Sequence, residues 1–470
     1  MQYNKFKLYT YLCVGAFFLI LAFTLLYSFG YKYDFDTGES FQTGAIVLKA
    51  VPTDVIITKD GEEVKQSGFL NGIWSTFVKI ENLASKSYDI RVAKEGYNEW
   101  QKDITINGGQ VGKFESIVLL KKEYTEKPVM EDVVLADQKN IWFHAEKNMT
   151  LVYGTLDAAE GLYLLDLANE EQKIVLDKDQ LALMGKIQNI EWTGDDNKII
   201  VKTENDLYVV DLRDGGKAYL ISNEIEKVLK QADAVYYVYG DYIIYGQDGS
   251  VYSFNFVTKA TKKIIDAIAS FYVYEGGLYL FRAEDPASAS LHYLGLGDYV
   301  RETVISVMPE GYDARNTFTL QKQGDNAIVI SGGSLYLVSN DAGTVKLNSN
   351  VKEAKFFQNG KRILYSNDNE IWVYYVEDKL SQPTKNRGEN ELLSRFSGKL
   401  SNIYLYSDEE HLFYQENGVL SFTELDGRDN RNTFKLLQNP EGQDLFYVWN
   451  KGFIYFVKEN RLYKIDLKEV

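Results

Sequence analysis

Apolar and polar positions alternate in short stretches along most of the chain, and one stretch sets the pattern for the rest. Leu207-Tyr208-Val209-Val210-Asp211-Leu212 is apolar, β-branched and aromatic, with Asp206 before it and the turn formers Asp214-Gly215-Gly216 after it. That composition predicts a β-strand. Related strands start at Leu162, Val251, Leu291, Leu335, Ile371, Val419 and Leu462, so successive starts lie 45, 44, 40, 44, 36, 48 and 43 residues apart. A period of roughly 40–45 residues with several strands per unit predicts a β-propeller. The clearest unit runs from Ile187 to Ser222: strands Asn189–Trp192, Lys198–Lys202, Leu207–Leu212 and Lys217–Ile221, with a polar turn at residues 193–197. The same order recurs from Ala354 to Val376. Eight third strands predict eight blades, with seven as the alternative if the irregular unit around Leu291 is not one.

The ends of the array predict how it closes. The last unit, Leu445 to Val470, supplies three strands, while Val133-Val134-Leu135-Ala136 has no unit of its own. Pairing the two would remove two open sheet edges, so Val133–Ala136 is expected to complete the last blade. The segment Lys121–Pro128 is charged, contains a proline and lacks periodicity, and is expected to be a linker. Connectors between units vary, and two look briefly helical, Asn223–Lys230 and Glu389–Phe396. Such connectors share one face of a propeller. Ile225, Leu392, Leu393 and Phe396 are therefore the candidate partner-binding residues.

The N-terminus follows another pattern. Residues 8–31 contain no charge, Lys5 and Lys7 precede them, and Lys32, Asp34, Asp36 and Glu39 follow. As a helix this run spans about 36 Å, enough to cross a hydrocarbon core of about 30 Å. The flanking charges favour an inside N-terminus and extracytoplasmic body. An uncleaved signal anchor in the cytoplasmic membrane is expected, with a cleaved signal peptide as the alternative.

After a polar link, residues 43–122 carry five to seven short alternating stretches, including 45–51, 54–58 and 88–94, with an Asp60-Gly61 hairpin signal. They predict a small sandwich. Gly44, the strand up to Val51-Pro52, Asp60-Gly61 and the block Tyr88–Trp100 with its Gly96-Tyr97 corner resemble the PEGA domain. That resemblance implies an extracytoplasmic interaction module of prokaryotic envelope proteins without catalytic residues. An immunoglobulin-like sandwich is the alternative. The repeats from residue 129 onward resemble Tol-type and WD-type propellers in their four-strand order.

Composition narrows the function. There are 67 acidic and 51 basic residues, a formal net charge of -16, which disfavours a nucleic-acid partner. Cys13, within the apolar run, is the single cysteine, so no intrachain disulfide is possible. His144, His292 and His411 fall in different repeats, and no Gly-x-Ser-x-Gly elbow is present. The acidic turns at 195–197, 367–369 and 426–430 lack the calcium-loop spacing. Neither a catalytic residue nor a metal or cofactor site is expected. The chain is expected to be all-β behind one transmembrane helix: an anchor (1–31), a PEGA-like sandwich (43–122) and a propeller (129–470). Its expected role is a non-enzymatic envelope scaffold that contacts the bilayer through residues 8–31 and binds an envelope protein or cell-wall polymer. A glycan-active hydrolase and a ligand-sensing ectodomain are the alternatives.

Overall fold

In the computed structural model α1 spans Gln2–Ser28. The structure describes every residue except 1, 34–37, 39, 65–76, 130–132, 138, 145–146, 157–158, 196, 214, 222, 232–233, 283–288, 298–301, 340–342, 439–445, 449–451 and 468–470. Asp34, Asp36, Glu39, Asp196 and Asp214, singled out above, lie outside the described residues. Within α1, Thr10–Ser28 has a mean hydropathy of 2.1 and none of it is buried, so the helix is long and apolar enough to cross a membrane. A short hairpin follows, β1 (Tyr31–Tyr33) with β2 (Ser40–Gln42).

The sandwich contains β3 (Gly44–Val51), β4 (Ile56–Lys59), β5 (Glu62–Glu63), β6 (Val78–Leu83), β7 (Lys86–Ala93), β8 (Trp100–Ile106) and β9 (Val111–Val118). One sheet has the order β6-β3-β9 and the other β5-β4-β7-β8. The Asp60-Gly61 signal forms the β4–β5 turn, with φ of 53° and 82°. Ile46, Leu48, Ile90, Val92, Trp100 and Ile104 fill the core.

Among the described residues eight antiparallel sheets follow, numbered in chain order, the first seven each built from consecutive strands. Sheet 2, for example, is Ile187–Trp192, Lys198–Thr203, Leu207–Asp211 and Lys217–Leu220. Every neighbouring pair of sheets shares an apolar core. The first and last also share one, where Val133, Leu135 and Val152 meet Tyr455, Val457 and Leu462. Tyr455 Oη donates to Leu167 O at 2.9 Å across that junction. This cyclic packing is that of a propeller.

Closure differs from the expected scheme. Val133–Leu135 pairs with Met149–Leu156 inside sheet 1. The strand that completes sheet 8 is β10, Lys127–Pro128, which pairs Lys127 with Lys464 and Pro128 with Tyr463. Proline fits there because an outer-edge strand need not donate on both sides. The expected linker is therefore structural. Lys122 N donates to Gly96 O at 2.9 Å, and Tyr124 packs into the core between sheets 7 and 8. Just upstream, Val118 and Leu120 enter that same core while Leu119 stays in the sandwich core. Strand alternation thus stitches the two domains together.

A bulge recurs between third and fourth strands. In sheets 1, 3, 4, 5, 6 and 7 the pairing register shifts by one residue near the start of the third strand. The extra residues in the fourth strands are Val175, Ile264, Ile305, Leu347, Leu393 and Leu436, all apolar and all in or against an inter-sheet core. A bulge turns one side chain out of strand alternation; here it turns that side chain into the neighbouring sheet.

The strand order also defines two faces. Turns joining strands one to two and three to four lie at one end of the sheets. Hairpins joining two to three, and connectors to the next sheet, lie at the other. The connectors include α2 (Lys178–Met184) and α3 (Asn223–Leu229). As a fourth strand, β10 begins at the first end, so the sandwich preceding it lies on the turn face, opposite the connectors.

Candidate functional site

The inward row of β8 is Trp100, Lys102, Ile104 and Ile106. A lysine in that row needs partners. Lys102 is 1% exposed, and its Nζ donates to the carbonyls of Asp426 (3.0 Å), Arg428 (2.8 Å) and Asn430 (2.5 Å). Glu424 Oε1 lies 2.9 Å from the same ammonium. Glu424 Oε2 accepts from Trp100 Nε1 at 3.1 Å. The three carbonyls belong to the turn between the third and fourth strands of sheet 7, so the sandwich plugs a lysine into the turn face of the propeller.

Side-chain amides complete this seam. β8 and β9 are edge strands of their sheets. Asn432 donates to Gln101 O and accepts from Gln101 N, both at 3.2 Å. On β9, Gln382 accepts from Lys113 N at 2.7 Å and donates to Val111 O at 2.9 Å. Each amide stands in for a neighbouring strand, which covers an edge open to aggregation. The Arg428 guanidinium lies 3.7 Å from the centre of the Phe114 ring and donates to Lys113 O at 2.7 Å. Beside these contacts runs a cleft of about 790 Å³, lined by Asp103–Ile106 of the sandwich and by Gln382, Pro383 and Asp429 of the propeller.

Three of the seam's carboxylates, Glu410, Glu424 and Asp426, are paired with cations. Glu410 meets Arg362 and Lys379, each at 3.1 Å, and accepts from Gln358 at 3.0 Å. Burial pulls the Lys379 ammonium below the usual lysine range although Glu410 supports it. At Asp426 burial opposes the charge, but the Arg428 guanidinium prevails and the carboxyl titrates below the usual range. On sheet 2, hydrogen bonding to Arg213 holds Asp211 down to about 2. Nearby Lys198, 1% exposed, sits between Asp195 (2.7 Å) and Asp211 (3.7 Å). These arrangements hold polypeptide together; their acids and bases neutralise one another.

The sequence-predicted partner residues do not form a patch. α3 forms as expected, but Ile225 and Leu229 point into the core between sheets 2 and 3. Glu389–Phe396 is not a helical connector: Asn390–Arg395 is the fourth strand of sheet 6. Leu393 is its bulge residue and is buried against sheet 7. Leu392 is half-buried, and half-buried Phe396 packs 4.7 Å from the Tyr414 ring. Ile225, Leu393 and Phe396 therefore belong to inter-sheet cores rather than to an exposed contact surface, and Leu392 alone stands outside them.

The histidines are local fixtures. His144 packs edge-on against Trp192 at 4.8 Å, His292 lies 2.7 Å from Glu302, and His411 pairs with Asp408 at 2.7 Å while stacking on Phe422. Among the described residues, no group of three or more His, Cys, Asp or Glu is arranged to hold a metal ion. The connector face carries a different feature: Leu183 on α2 is 86% exposed, while Leu181 and Met184 anchor that helix inward.

The family model for the PEGA domain matches residues 55–121. These residues form a PEGA domain. β3, the central strand of its three-stranded sheet, lies outside the matched range, and a propeller follows the domain. No curated protein sequence matches the chain. Among solved structures, Kluyveromyces lactis Hsv2 is 11% identical, covering 65% of this chain and 98% of its own, with a TM-score of 0.39. The WD40 domain of SCAP from fission yeast is 10% identical, covering 73% and 98%, with a TM-score of 0.41. Dihydro-heme d1 dehydrogenase NirN, in complex with DHE, is 10% identical, covering 65% and 73%, with a TM-score of 0.38.

Proposed function

We propose that this protein is a non-enzymatic scaffold of the prokaryotic envelope. In this reading α1 crosses the cytoplasmic membrane with its N-terminus inside, and the eight sheets are the blades of an eight-bladed propeller held outside. The unit around Leu291 supplies a complete four-stranded sheet, which supports eight blades over seven. The observation that carries the proposal is the Lys102 plug. It joins the PEGA domain to the turn face, so the anchor meets that side of the disc and the connector face points away from it. A fixed disc with one free face displays a surface. The pairing of Glu410, Glu424 and Asp426 with cations weighs against a hydrolytic role for these three.

The proposed partner is an envelope protein or cell-wall polymer, bound at the connector face. A photo-crosslinking residue at Leu183, on that face, should yield adducts in intact cells. The same residue at Leu380, 87% exposed in a turn-face loop, should not. Equal adducts at both positions, or glycan hydrolysis by the purified protein, would overturn the proposal.

A further inference from the structure

We infer that the β1–β2 hairpin is a lipid-contacting foot, with Tyr31 and Tyr33 in the headgroup layer of the bilayer that α1 enters. The inference rests on the proposal that α1 spans the membrane and adds where the span ends and what fixes it. Thr10–Ser28 is 19 residues, about 28 Å of helix against a hydrocarbon core of about 30 Å. Residues 29–33 therefore reach the boundary. Tyr27, Phe29, Tyr31 and Tyr33 are 64%, 66%, 43% and 54% exposed. Tyr31 and Tyr33 share one face of β1 by strand alternation, while half-buried Lys32 points the other way. A tyrosine ring with an apolar body and a polar tip suits that layer.

The hairpin is fastened at both ends. Phe29 O accepts from Gln42 Nε2 at 3.1 Å, and Gly30 O accepts from Thr43 N at 2.8 Å and Thr43 Oγ1 at 2.9 Å. Thr43 O in turn accepts from Gly109 N at 3.1 Å, in the β8–β9 turn of the PEGA domain. Gly30 sits at φ +82°, and a Cβ there would lie 3.1 Å from Thr43 Oγ1. The end of α1 is thus hydrogen-bonded to the domain it carries. The direct continuity from apolar helix to aromatic strand selects lipid as the occupant over a protein partner.

The test uses the full chain with Cys13→Ser in phosphatidylcholine vesicles, carrying one nitroxide label at Phe23 or at Ser40, whose position pairs with Tyr33. Relative collision rates with oxygen and an aqueous nickel chelate report depth. Phe23 is expected in the hydrocarbon and Ser40 at headgroup depth. Tyr31→Ser with Tyr33→Ser should cost Ser40 its protection from nickel and leave Phe23 unchanged. Tyr31→Trp with Tyr33→Trp should restore it. If Ser40 reads as aqueous beside intact tyrosines while Phe23 stays deep, the foot is wrong and the anchor stands. If Phe23 itself reads as aqueous, the anchor proposal fails and takes the foot with it.

Discussion

The two faces of the disc are built by different rules. On the turn face, long loops of sheets 6 and 7 reach into the PEGA domain, and main-chain groups of the sandwich edges find side-chain partners. On the connector face, short helices bury their apolar side and leave Leu183 in solvent. The difference teaches that loops reaching well beyond the blades of a propeller need not be its recognition loops. Here they are mortar. The connectors, on the opposite face, are the surface on which the proposed partner would dock.

The largest expected effect breaks the mortar. Lys102→Ala strands Glu424 and three carbonyls in a buried seam, a loss of about 3–5 kcal/mol. Urea denaturation should show it, and hydrogen exchange should rise at residues 426–430. An unchanged midpoint would mean that the seam is not a distinct structural face. Leu393→Ala comes next, at about 3 kcal/mol, because it empties a core between sheets 6 and 7. Loss of partner capture at full stability in this variant would restore Leu393 to the binding surface.

Acid should loosen the turn face selectively. Asp426 and Asp211 have carboxyls depressed by Arg428 and Arg213, the latter to about 2. A depressed folded value means that the stability it supplies is complete above the ordinary carboxylate range of about 4 and is lost as pH falls below it toward 2. Amide protection around residues 426–430 and 211–213, relative to the intrinsic exchange rate at each pH, should therefore fall between about pH 4 and pH 2, ahead of α2 and α3. A smaller effect, about 1 kcal/mol, is expected for Gln382→Ala, which uncovers the β9 edge. Solvent there can replace part of what is lost, so concentration-dependent association is the sharper readout.

Much of this was legible in the sequence, and the misses share a cause. Third strands such as Leu207–Asp211 stand out because they are buried on both sides and read as apolar runs. Fourth strands do not. In Asn390–Arg395 a bulge breaks the alternation, so Leu392, Leu393 and Phe396 take a helix-like spacing although the chain is extended. The same displacement explains why Leu393 looked available and is buried. β10 escaped notice because two residues ending in proline carry no periodicity; only pairing with Arg461–Asp466 reveals it. Lys102 carried a usable signal: strand period 2 sets it in line with Trp100, Ile104 and Ile106. A charge in an apolar row announces a buried partner, though not that the partner lies more than 300 positions later.

The smallest expected effect on the fold is the most informative about the comparison. Leu183 is exposed on α2, and the helix is already held by Leu181, Met184 and a capping box at Asp177 and Gln180. Leu183→Ser removes nothing from a core, so stability should stay within about 0.5 kcal/mol. If the connector face recognises a partner, a lone protruding leucine is the kind of side chain that fills a pocket on the other side. Capture of that partner should then weaken while the melting temperature holds. Leu380→Ser, equally exposed on the turn face, is the matched control and should change neither. Should Leu380→Ser weaken capture and Leu183→Ser leave it intact, the roles of the two faces are reversed, and the turn-face loops would be recognition loops after all.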